Sequence, residues 1–136
     1  MSKAITIPRT LQEVAEFARG GRTMFDLALS EFLDLFYTQP DARQSMISDE
    51  PPTIGPFEDA WLGAVAEHLA RRWDLEIPTW VDQPNRFLDR PFFAGGLESL
   101  KAILLAESPL AFRKRQIFVE AEPLRRARMP RDTAAE

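Results

Sequence analysis

Apolar side chains recur at three- and four-residue spacing along several stretches of the chain, with polar residues filling the opposite positions. That pattern marks helices with one buried side. Leu11, Val14, Ala15 and Ala18 form such a face. The Thr10/Glu13 capping-box spacing opens it and Gly20-Gly21 closes it, which predicts a helix over Leu11–Arg19. Thr23 reads as the N-cap of the next element, with Asp26 in its first turn. Phe25, Leu29, Phe32 and Phe36 then share a narrow arc opposite Asp26, Ser30, Glu31 and Asp34, so a second amphipathic helix is predicted from about Met24 to Tyr37. Pro40 breaks the pattern, Asp41 to Ile47 suit a short helix, and Ser48 to Pro56, with Pro51, Pro52 and Pro56, read as a stiff connection. A longer helix from Phe57 to Trp73 sets Phe57, Trp61, Ala64, Val65 and His68 on one side, with Gly63 in its interior.

From Asp74 to Gly96 the helical period disappears, because Pro78, Pro84, Pro91, Gly95 and Gly96 interrupt it. The same stretch holds Trp80, Phe87, Phe92 and Phe93, so it is expected to wrap the core by its own side chains, leaving Arg86 and Arg90 to water or to acidic partners. Periodicity resumes with Leu97, Leu100, Ile103 and Leu104, predicting a buried helix over 97–106. Ser108-Pro109 reads as an N-cap followed by proline at the first helical position, opening a short helix that carries Phe112, Arg113, Lys114 and Arg115. Ile117-Phe118-Val119 is too short to tell from an extended loop, and 122–127 suit a last short helix. The fold class is therefore all-α: one compact bundle of about five to six helices over 10–128 with a long aromatic-rich loop at 74–96. A short arm at 1–9, containing Ile5 to Pro8, precedes it, and 129–136 are expected to fray.

A chain of 136 residues with 45% hydrophobic and 28% charged residues suits one globular core rather than a disordered segment. The absence of cysteine excludes disulfides, thiolate metal sites and a cysteine nucleophile. No apolar run reaches the length of a membrane span or a secretory leader, and the expected setting is the cytoplasm. Charge is unevenly spread: residues 1–112 carry 10 basic and 17 acidic side chains, whereas 113–131 carry seven and two. A basic segment on an acidic body reads first as a solvated helix face and a fraying tail; it argues against unaided binding to nucleic acid and leaves a weak phosphate contact open.

Catalytic templates find little purchase. His68 is the sole histidine and stands beside Glu67 in sequence, so the two diverge on a helix and form no metal pair. No glycine-rich phosphate loop, nucleophile elbow or metal-ligand cluster is present, and neither a catalytic residue nor a cofactor is assigned. A small-ligand pocket near Trp61, His68 and Trp80 is the enzyme-like alternative.

The run from Trp61 to Leu75, then Pro78 to Val81, then Asn85 to Val119 resembles an uncharacterised bacterial helical domain. In relatives that domain often follows a helix-turn-helix DNA-binding module, in regulator- or antitoxin-type proteins of small operons. The resemblance spans about Phe25 to Leu124, most specifically Pro91 to Val119, and carries no catalytic residue with it. The chain departs from the two-domain form in having no room for a helix-turn-helix module before Phe25, which shifts the expectation toward partner binding. The expected function is thus a non-catalytic protein-interaction domain using Arg90, Arg113, Lys114, Arg115, Arg125 and Arg128, of which Arg125 and Arg128 would share a side of the last helix. Leu100, Ile103 and Leu104 would be buried beneath that surface. The second reading is a nucleic-acid-binding regulator using the basic C-terminal segment.

Overall fold

In the computed structural model, residues 7–21 and 23–130 are described. The chain is mostly helical, and the first predicted elements form where the periodicity placed them: α1 is Leu11–Arg19 and α2 is Phe25–Thr38. Thr10 caps α1 by accepting the Glu13 amide, as the sequence spacing implies, and the Glu13 carboxylate reaches back one residue past the cap to the Arg9 amide. Thr23 does not cap α2, whose N-cap position is Met24 without a side-chain bond. The other end is closed from a distance: Arg43 donates to the Phe36 and Tyr37 carbonyls and lays its guanidinium over Trp73, 4.6 Å from the ring centre. A 3₁₀ turn at Pro40–Ala42 leads into α3, Arg43–Ser48.

α4, Pro56–Arg72, is the hub. Ala60, Gly63, Ala64, Ala66 and Ala70 have little bulk, so neighbours close on the helix from several sides and most of it is buried. α6, Leu110–Arg113, and the 3₁₀ turns at Thr79–Asp82 and Pro84–Arg86 pack on it, while α1 and α2 pack on each other. Phe32, Phe36, Leu62, Leu69 and Phe112 lie fully buried in the shared core. Tyr37 joins the C-terminal segment to this core by donating to the Leu124 carbonyl at 2.8 Å.

The 74–96 stretch does wrap the core, as turns rather than as a long helix. Trp80 and Val81 are buried, and Trp80 donates to the Ile47 carbonyl. A short parallel pair, β1 (Phe92–Phe93) and β2 (Ile117–Phe118), clips its end to the C-terminal segment, and Phe93 stacks on Phe118. Three expected features take other forms. The helix expected from Leu97 begins only at Lys101, because residues 98–100 make a 3₁₀ turn; α5 is Lys101–Glu107. Ser108 ends α5 instead of capping α6, accepting the Val119 amide and donating to the Leu104 carbonyl. Residues 122–127 form turns and no helix, since Tyr37 and Asp34 hold the segment against α2. Of the expected arm and tail, 1–6 and 131–136 lie outside the described residues.

Candidate partner interface

The basic residues do not form one surface. Arg115 was expected to face a partner, but it is fully buried. Its Nη1 donates to Glu67 Oε1 and to the Ala111 carbonyl, its Nη2 to the Val81 carbonyl, and its guanidinium lies over Phe87. Lys114 leans on the same carboxylate at 3.1 Å, and Arg71 closes it from one helical turn away. Burial works to raise the Glu67 pKa, but the bonds from Arg115, Arg71 and Lys114 outweigh it and hold the carboxyl below its ordinary range.

Arg86 was likewise expected to point to water and is also fully buried. It donates to the Pro51 and Asp59 carbonyls and stacks over Trp80. Both arginines cross α4 at Gly63. A methyl group there would stand 2.9 Å from Arg86 Cβ and 3.1 Å from Arg115 Nε, so the glycine provides the bed on which they lie. The buried cations are therefore girders that fasten the aromatic loop and the C-terminal segment to the central helix.

The remaining basic residues are dispersed. Arg90 and Arg113 are exposed, and Arg113 donates to the Ser108 carbonyl. Without a helix at 122–127, Arg125 and Arg128 no longer share a side. Arg125 borders a groove against Phe25, whereas Arg128 stands beside Glu31 and Asp34. Arg126 forms a two-pronged ion pair with Asp34 at 2.9 and 3.0 Å.

The apolar residues supply the surface that the cations do not. Along α5 only Leu104 is buried. Leu100 and Ile103 were expected in the core, but they remain 37% and 52% exposed, and Leu97, Leu105 and Leu110 are about half exposed. The cause is geometric: β2 and Ser108 meet α5 along one line, and Leu104 alone points at it. A helix that is apolar around its circumference is ordinarily buried on more than one side. The run of five apolar residues, Ala102 to Ala106, carried this signal in the sequence, though it read there as core.

A second apolar feature is an open groove of about 500 Å³ between α2, α4 and the C-terminal segment. Leu29, Leu33, Phe57, Trp61 and Phe92 line it together with Asp26, Arg125, Ala94 and Gly95. Trp61 thus belongs to this groove, while the other two members of the expected ligand pocket lie elsewhere. His68 packs edge-on against Phe112, and Trp80 is buried beneath Arg86. Burial, with help from the nearby Arg72 charge, lowers the His68 pKa to about 4, so its imidazole is neutral near pH 7. Among the described residues no group of three or more acidic or histidine side chains is placed to hold a metal, and no helix is long and apolar enough to cross a membrane.

Comparison with protein-family models, with curated proteins and with solved structures finds no match for the chain.

Proposed function

We propose that the protein is a non-catalytic interaction domain that presents α5 to another protein chain, as a regulator- or antitoxin-type component of a small bacterial operon. The observation that supports this most is the exposure of α5: Leu104 is its one buried side chain, and Ile103 and Leu105, with Leu100 in the turn before them, are left in water. Large apolar side chains at a surface gain most when another chain covers them, by about 25 cal/mol per Å² removed from water. Exposed Arg113 stands at the end of this strip, bonded to the Ser108 carbonyl, where it suits a partner with an acidic rim. The resemblance over Phe25 to Leu124 supplies the regulatory setting of the proposal.

The test is the size of the tagged chain in lysate of its native host. Wild type should migrate in an assembly larger than the free chain, and Ile103→Glu combined with Leu105→Glu should release it. Migration of wild type at the free-chain size, with neighbouring gene products expressed, would end this reading. So would an assembly indifferent to the double substitution.

A further inference from the structure

The open groove and the exposed helix are neighbours along the chain. Ala94 and Gly95 line the groove, and the apolar strip starts two residues later at Leu97. We infer that the two surfaces are halves of one self-complementary contact, in which α5 of a second copy of this chain lies in the groove while its own groove receives the first copy's α5. This inference rests on the reading of α5 as an interaction helix and names its partner.

Three observations carry it. A two-fold contact needs each copy to present both halves side by side, because whatever residue i touches on the partner must be touched in return. The junction at Gly95 and Gly96 meets that condition. The groove is open, not enclosed, and its apolar lining of Phe57, Trp61 and Phe92 suits side chains delivered at three-residue spacing, as Ile103 on α5 and Leu100 in the turn before it are. Finally, the charges match. Asp26 and Arg125 border the groove without an ion pair among the described residues, and α5 carries Lys101 near its start and Glu107 at its end. Lys101 pairs with the exposed Glu98 and lies over the Phe93 ring, and the Glu98 contact is weak enough to exchange; Glu107 has no ion pair among the described residues. Laid in the groove, α5 brings Lys101 to Asp26 and Glu107 to Arg125.

The experiment is light scattering and sedimentation of the purified full-length chain over a concentration series. A concentration-dependent species of twice the chain mass is expected. Ile103→Glu should weaken dimerisation roughly tenfold or more while circular dichroism stays native. Glu107→Arg and Arg125→Glu should each weaken it, and the two together should restore it, a rescue that a general loss of structure cannot give. A chain that stays monomeric up to roughly 1 mM overturns the inference. So does a dimer that survives Ile103→Glu, or a double charge swap no better than the single changes. If the purified chain is monomeric while its host assembly still requires Ile103 and Leu105, the second copy is the wrong occupant and the interaction reading stands.

Discussion

Glu67 and Arg115 meet at 2.7 Å with both side chains removed from solvent, one from the middle of α4 and the other from the turn that follows α6. Forty-eight positions apart in sequence, they bind the C-terminal segment to the central helix. A buried ion pair adds little over a well-packed apolar pair, but removing one partner strands the other as a buried charge and costs about 3–5 kcal/mol. Here the loss also leaves the Val81 and Ala111 carbonyls without their donor.

Arg115→Glu is therefore expected to destabilise the domain severely, because it sets two carboxylates together in the interior. The melting temperature should fall by roughly 10 °C or more, or the chain should fail to fold. Arg115→Lys, which keeps the charge but cannot reach Glu67 and Val81 together, should cost less. Melting of the glutamate variant within 2 °C of wild type, about the effect of 1 kcal/mol or less, would show that the pair is not structural.

Gly63 gives a second route to the same framework. An alanine at this position is intrinsically better in a helix by about 0.5–1 kcal/mol, yet its methyl would press on Arg86 Cβ, which the backbone holds in place, and on Arg115 Nε. The clash should prevail. Gly63→Ala is expected to lower stability by about 1–3 kcal/mol in urea titration, and a gain would show that the arginines can move aside.

These two positions mark where the sequence stopped being legible. Local signals placed α1, α2 and α4, because capping residues and the 3.6-residue period act within a turn or two and do not depend on distant partners. Arg86 and Arg115 read as surface residues because arginine is rarely fully buried, and only long-range contacts with Glu67, Val81, Pro51 and Trp80 compensate the burial. The one local clue was Glu67 one turn after Gly63, a carboxylate on a helix otherwise rich in alanine. For α5 the failure ran the other way. Apolar periodicity gives the face that avoids water but cannot say whether the same chain covers it, so Leu100 and Ile103 read as core.

Leu104 and Ile103 should accordingly respond in opposite ways. Leu104→Ala truncates the one buried side chain of α5 and should cost about 2–4 kcal/mol in thermal unfolding of the isolated domain. Ile103→Ala removes a half-exposed one and should stay within about 0.5 kcal/mol in the monomer. Equal losses would mean that α5 is packed more deeply than its exposure indicates.

The pH dependence of stability separates His68 from Glu67. The folded chain holds His68 at a pKa of about 4 against an ordinary 6.5, so as pH falls the unfolded chain takes up this proton first. Its contribution is complete above about pH 6.5 and is lost progressively down to about pH 4. Glu67, held below its ordinary range, contributes above the usual carboxylate pKa and loses that contribution only as pH falls further, through its lowered folded value. Denaturant unfolding should therefore weaken between pH 7 and pH 5 by about 2 kcal/mol, a loss that His68→Leu should remove. The steeper loss below about pH 4 should persist in that variant, because Glu67 and the other carboxylates cause it. A His68→Leu variant with an unchanged slope between pH 7 and pH 5 would show that the imidazole is hydrated and not sealed against Phe112.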